Sequence, residues 1–333
     1  MTRRAVIFGV KGQSLTAWER DFLRDCDPWG FILFARNIDT PDQLRALTGE
    51  LRDVVGWNAP ILIDQEGGRV QRMRAPHWHE YLPALDQMAR ARNPMRAQYL
   101  RNRMIAHELH AVGIDVNCAP LADLVEEGTH PVLLNRLYGG DVDAVVAAAR
   151  AAAEGMLDGG VLPVLKHIPG YGRAVVDSHL DLPRVSVPLE ELKARDFAPF
   201  VALNDMAMGM TAHIVMEAVD AERPATTSPK AMRMIREEIG FGGLIMTDDL
   251  SMQALKGTLA ERAKASIAAG CDIVLHCNGK RHDMVEVADA TPLMRSDAVI
   301  RGNLALDQRR APDAQEFNAL KVELDAELEG SAL

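Results

Sequence analysis

Residues 243–250 read GLIMTDDL, an apolar run the length of one strand that ends in two carboxylates, with a helix expected shortly after. Seven more short apolar, β-branched runs of this kind recur along the 333-residue chain. They are AVIFGV at 5–10, GFILFAR at 30–36, PILIDQE at 60–66, GIDVNCAP at 113–120, LPVLKHI at 162–168, MAMGMTAHI at 206–214 and CDIVLHC at 271–277. Longer stretches of helical period lie between them, at 41–55, 96–112, 142–157, 188–203 and 229–239, several opened by a proline or an acidic residue as helix starts often are. Eight alternations without a long linker predict βα units closed into a single-domain (β/α)8 TIM barrel spanning 1–333, rather than an open doubly wound sheet. The charged, Ala/Leu-rich segment after Asn278 predicts a closing helix or two, with a frayed tail from about Glu327.

Almost every one of these strands finishes in polar or ionisable residues, among them Arg36, Asp64, Glu66, Lys166, His167, His213, Asp248, Asp249, His276 and Asn278. In a barrel those ends converge on one mouth, where the active sites of this fold lie. A solvated strand end explains any one of them, but explains so many together poorly.

Composition narrows the function. The formal charge of -10 and pI near 5.5 argue against broad attraction to nucleic acid or anionic lipid, because phosphate binding needs a basic face. The opening MTRRAVIFGVKGQ has two arginines before an apolar stretch, but the stretch is only strand-length and lacks a small-residue cleavage site. No later run approaches the roughly twenty apolar residues of a membrane helix. A soluble, untargeted protein is expected, with Cys26, Cys118, Cys271 and Cys277 as reduced, buried thiols lacking any CxxC spacing.

Three segments carry chemistry. In LKHIPGYGRAVVDSHLDLP, 165–183, a strand enters a long loop with two glycines and a proline before Asp-Ser-His. Asp177 and His179 are close enough for the carboxylate to fix one imidazole nitrogen and raise the basicity of the other, which makes His179 a candidate proton donor and acceptor. A merely loop-stabilising pair is the competing reading. In GLIMTDDL, adjacent strand residues point to opposite sides, so at most one of Asp248 and Asp249 faces the mouth. That carboxylate suits a nucleophile of double-displacement glycoside hydrolysis, or alternatively a metal ligand. In ILIDQEGGRVQRM, Asp64 precedes a Gly-Gly turn and two arginines, so Asp64 and Arg72 suit hydroxyl recognition. GGR alone is weak evidence for a phosphate loop, which needs GxxxxGK[ST].

Lys166 and His167 suit substrate hydrogen bonds, with Schiff-base chemistry at Lys166 as the principal enzymatic alternative. His213, and His107 with His110 in AHELH, raise the question of metal. AHELH lacks the HExxH spacing and falls in an expected helix, so it reads as helix surface.

The chain resembles glycoside hydrolase family 3, specifically the bacterial single-domain β-N-acetylglucosaminidases of cell-wall recycling. Six ordered motifs carry the resemblance: GFILFARNI, IDQEGGRVQR, GIDVNCAPLADL, KHIPGYG with DSH, MTAHIVMEAVDAERPATTSP and LIMTDDLSM. The resemblance implies Asp248 as nucleophile, His179 as acid/base and Asp177 as its dyad partner. It assigns sugar binding to Asp64, Arg72, Arg136 in LLNRLYGG, Lys166 and His167. It further implies retaining removal of terminal GlcNAc from peptidoglycan fragments in the cytoplasm, with a small carbohydrate or muropeptide as substrate and no metal or organic cofactor. Tyr171 stands where the family usually has His in KHxPGHG, a position that bears on loop packing, affinity or rate. A glycoside phosphorylase and a non-catalytic sugar-binding barrel are the other two alternatives to hydrolysis.

Overall fold

Alternation along short strands decides which side chains fill the barrel and which meet its helices. In the computed structural model, which describes residues 2–176 and 181–329, β1 (Arg4–Gly9), β2 (Pro28–Leu33), β3 (Ile61–Ile63), β4 (Val116–Asn117), β5 (Leu162–Pro163), β6 (Leu165–Ile168), β8 (Met208–Thr211), β10 (Leu244–Asp249) and β11 (Ile273–His276) form one sheet in the order β5-β4-β3-β2-β1-β11-β10-β8-β6. All pairings are parallel. β5 and β6 are one stretch of chain broken at Val164, whose N–H turns to the carbonyls of Asn117 and Ala119 at 3.0 and 2.8 Å. That stretch joins both margins of the sheet, β5 to β4 and β6 to β8, and the eight expected strands make a (β/α)8 barrel. A separate parallel pair, β7 (Arg184–Val185) and β9 (Val215–Met216), sits in the segments that follow β6 and β8.

Ile7, Ile32, Leu62, Val116, Val164, Met210, Met246 and Leu275 pack together inside the barrel. Their outward neighbours, such as Phe8, Phe31 and Ile63, meet Leu44, Leu47, Leu100 and Met104 of the surrounding helices. Leu165, Ile168 and Ile245 belong to a further packed cluster with Phe200, Ile235, Phe241 and alanines of the helix Val142–Asp158. The helix Pro41–Val55 has the predicted bounds because Thr40 caps its start, Pro41 presets the first turn and Gly56 ends it at φ 67°. The helix expected over 188–203 is instead two, Leu189–Ala194 and Ala198–Ala202. Pro199 explains the break, since its ring excludes a helical carbonyl four residues earlier, at Arg195.

The helix Phe317–Glu329 runs to the end of the described residues, and Glu327 accepts from the N–H groups of Arg92 and Asn93. All four cysteines are free and buried. No described helix is long and apolar enough to cross a membrane.

The helices Pro94–His110 and Val142–Asp158 approach so closely that a Cβ on Gly155 would lie 2.3 Å from the Tyr99 carbonyl oxygen. In an exposed helix Gly→Ala gains about 1 kcal/mol of propensity. Here the new methyl meets backbone, and overpacking of about 1–3 kcal/mol should win. Gly155→Ala is therefore expected to lower the urea midpoint. A midpoint equal to or above wild type would mean that the helices can separate at little cost.

Candidate active site

The segments that leave the C-terminal ends of the strands enclose a cavity of about 200 Å³. Asp64, Arg72, Arg136, Lys166, His167 and Asp248 all line it, so six of the eight residues singled out in the sequence come together. The other two, Asp177 and His179, lie outside the described residues. Not every polar strand end faces the cavity. Arg36 turns to the carbonyls of Val10 and Cys277, and His276 bonds Asn278 at 3.0 Å.

Lys166 is the centre of the site's electrostatics. Its Nζ lies 2.9 Å from Asp64 Oδ1 and 2.6 Å from Glu66 Oε1, and its side chain is 2% exposed. Burial alone pushes an ammonium toward neutrality. The two carboxylates outweigh burial and raise the lysine above its ordinary value. A lysine held protonated in this way is not the neutral amine that Schiff-base formation needs, so the lyase alternative loses its reagent.

Burial pushes the Asp64 carboxyl up, but Lys166 and Arg72, the latter at 3.3 Å, hold it below the usual range. Glu66 is held well below that range against the same burial by Arg136 and Lys166. Its two oxygens accept from Arg136 Nε and Nη2, both at 2.8 Å, a bidentate pair that fixes the guanidinium plane. Glu66 was read only as a polar strand end in the sequence. Nothing in DQEGG says that its side chain turns away from the cavity to brace two of the cations that line it.

The Gly-Gly turn makes that bracing possible. Gly67 and Gly68 have φ of 92° and 58°, and a Cβ on Gly67 would fall 2.1 Å from the Arg101 guanidinium. Fully buried Arg101 donates to the carbonyls of Glu66 and Leu82, which pins the turn against the helix Pro94–His110.

His167 faces the cavity with its tautomer set from behind. Its Nδ1 lies 2.7 Å from Asp123 Oδ2, and a carboxylate partner there leaves Nε2 for the cavity. Asp123 also accepts from the Tyr171 N–H at 2.7 Å, so one buried carboxylate orders both His167 and the start of the long loop. Asp123 was not singled out from the sequence, although it stands in the quoted GIDVNCAPLADL. Tyr171 is buried with its ring centroid 5.6 Å from that of His167, and its hydroxyl donates to the Val176 carbonyl at 3.4 Å. The phenol thus ties the loop to itself next to the DSH motif.

Of the paired aspartates, Asp248 lines the cavity. Asp249 instead accepts from the Ser251 hydroxyl and from the Ser251 and Cys277 N–H groups, each of the latter at 3.1 Å. His213 sits beside them, fully buried. Its Nε2 donates to the Asp249 carbonyl at 3.0 Å while Nδ1 lies 2.8 Å from Thr226 Oγ1. Burial lowers its basicity, with Asp248 opposing. His213 thus ties the end of β10 to Thr226 through its two ring nitrogens. His107 and His110 lie in the last turn of the helix Pro94–His110, and no described residues form a cluster of three or more metal-ligating side chains.

Asp64 and Glu66 set a pH response. Their folded values are depressed, so the stability they contribute is complete above the unfolded carboxyl range, about 3.9–4.3, and is lost as pH falls through the folded values. Glu66→Gln removes one of these groups and leaves Arg136 and Lys166 short of a counter-charge, which should cost about 3 kcal/mol at pH 7. Thermal melts from neutral to acid pH should show a lower midpoint and a shallower acid decline than wild type. An unchanged acid decline would assign that response to other carboxylates.

Comparison with known proteins agrees with the motif resemblance. The model for the glycosyl hydrolase family 3 N terminal domain matches residues 12–299. A β-hexosaminidase of Methylococcus capsulatus is 40% identical over 281 residues, covering 82% of this chain and 82% of that one. One of Neisseria meningitidis serogroup C is 37% identical over 317 residues, covering 92% and 85%. Native NagZ from Neisseria gonorrhoeae matches the fold with a TM-score of 0.85 at 33% identity, covering 99% of this chain and 97% of that one. The structure of the same NagZ with N-trifluoroacetyl-D-glucosamine matches at 0.84 and 33%, over the same shares. Motifs, barrel and relatives agree: this chain belongs to glycosyl hydrolase family 3 and is a glycoside hydrolase.

Proposed function

We propose that the protein is a retaining exo-β-N-acetylglucosaminidase that removes non-reducing terminal GlcNAc from peptidoglycan fragments, among them GlcNAc-1,6-anhydro-muramyl peptides, in the cytoplasm. The observation that carries the reading is the convergence of Asp248 with five hydrogen-bonding side chains in one small cavity at the barrel mouth. A cavity of about 200 Å³ suits one sugar ring and not a chain of them, which favours an exo cut. Support for GlcNAc comes from the β-hexosaminidase relatives and from the complex of a structural neighbour with N-trifluoroacetyl-D-glucosamine.

In this mechanism Asp64 accepts from two neighbouring sugar hydroxyls while Arg72, Arg136, Lys166 and His167 donate or complete the network. The Asp248 carboxylate attacks the anomeric carbon as His179, oriented by Asp177, protonates the departing oxygen. The bond from the anomeric carbon to the leaving oxygen breaks as the bond to Asp248 forms. His179, now neutral, takes a proton from water, and that water displaces Asp248 from the sugar with a second inversion. Pairing the nucleophile with an imidazole rather than a second carboxylate avoids like-charge repulsion, and an ordinary histidine titrates at about 6.5 without tuning.

Release of p-nitrophenol from its N-acetyl-β-D-glucosaminide, with the β-glucoside in parallel, tests the substrate. Wild type should prefer the GlcNAc substrate, and Asp248→Ala should lose at least about a thousandfold in kcat. Proton NMR of the first turnovers should show the β-anomer of the released sugar. The α-anomer would rule out the double displacement, and release of a sugar 1-phosphate in phosphate buffer would make the enzyme a phosphorylase.

A further inference from the structure

A single-ring cavity leaves the rest of any larger substrate outside it, and the same face of the barrel carries a second hollow. The segments that follow β6, β8 and β10, with the first turns of the helix Leu259–Ala269, enclose a cleft of about 400 Å³. Its wall toward the catalytic cavity is one short turn. Met252 of that turn lines the cavity, whereas Ala254, Leu255 and Lys256 line the cleft, and the Leu255 N–H donates to the Met252 carbonyl at 3.3 Å. Leu182, Pro224, Ala254 and Leu255 give the cleft apolar contacts.

Its charges are unequal in kind. Arg184 is neutralised by Glu217 at 2.9 Å, the Glu261 carboxylate accepts from the Thr258 N–H at 2.8 Å as a helix cap, and Glu222 adds an exposed carboxylate beside Arg223. Arg262 donates to the carbonyls of Leu250, Met252 and Gly257, with no carboxylate in salt-bridge contact among the described residues. Arg223 and Lys256 are exposed on the lip, and their side chains make no hydrogen bond or ion pair among the described residues. On a chain of net charge -10, a cleft lined by four basic side chains, Arg184, Arg223, Lys256 and Arg262, against two acidic ones, Glu222 and Glu261, is a place where an added anion meets attraction rather than repulsion.

We propose that this cleft is the seat of the leaving group's acidic peptide, with its carboxylates on Arg223 and Lys256 and its aliphatic side chains on Leu182 and Leu255. The proposal rests on the muropeptide glucosaminidase reading and adds to it a second recognition site, which discriminates leaving groups by charge. Such contacts are rim-exposed, so each contributes modestly and yields to salt.

The test uses three substrates: p-nitrophenyl N-acetyl-β-D-glucosaminide, a GlcNAc-anhydro-muramyl peptide with free carboxylates, and the same peptide amidated. Wild type is expected to favour the free acid over the amide by about three- to tenfold in kcat/KM, mostly through KM, with the ratio shrinking as salt rises. Arg223→Ala with Lys256→Ala should abolish the ratio and leave nitrophenol release unchanged. Equal rates on acid and amide by wild type, or a ratio that survives in the double variant, would overturn the cleft assignment while leaving the glucosaminidase reading intact. Absence of nitrophenol release by wild type would instead bring down that reading, and the cleft proposal with it.

Discussion

A buried ammonium between two carboxylates is the constraint around which the mouth of this barrel is arranged. Lys166 stands where β6 meets the turn after β3, and removing its charge from water is tolerable only because Asp64 and Glu66 are both within hydrogen-bond reach. Those carboxylates then need their own partners, Arg72 for one and Arg136 for the other. The result is an alternating chain of charge that runs from the third strand of the barrel to the fifth. Each cation keeps only part of its donor capacity for a ligand. Arg136 has two nitrogens engaged by Glu66, so what it offers the cavity is a donor fixed in direction rather than a free charge.

A second buried carboxylate does comparable work on the other side of Lys166. Asp123 receives the His167 ring, the His167 N–H and the Tyr171 N–H together. Strand end and loop start are thereby fixed by one group. The proposed acid/base machinery depends on that anchor, since Tyr171 and Val176 already bind each other before the motif is reached. A histidine in place of Tyr171 could not reach as far with its polar atom.

Much of the architecture was legible because strand runs buried on both faces are conspicuous in a sequence and the helices carry capping signals at their ends. The polar strand ends were legible as a set but not individually. Alternation left Asp248 and Asp249 equivalent until the turn after β10 drew Asp249 to Ser251 and Cys277. Glu66 stood out only as one polar strand end among many and Asp123 not at all, because a residue that acts through another has no motif of its own. Their importance lies in distances across segments remote in sequence. The break at Pro199 was readable in principle, since proline in a helix interior is a local rule, and periodicity over 188–203 masked it.

The way the sheet closes also shapes how the chain must fold. β1 lies between β2 and β11, with Val6 opposite Val274, so the barrel's first strand in chain order waits for its last. Until then one edge of β1, flanked by Phe8 and Ile7, has no partner for its backbone, and an exposed apolar edge invites pairing with another chain. Nascent copies on one messenger are therefore exposed to mutual capture for most of synthesis. A cell that makes this barrel in quantity has a reason to keep its early segments occupied by chaperones until the ring can shut.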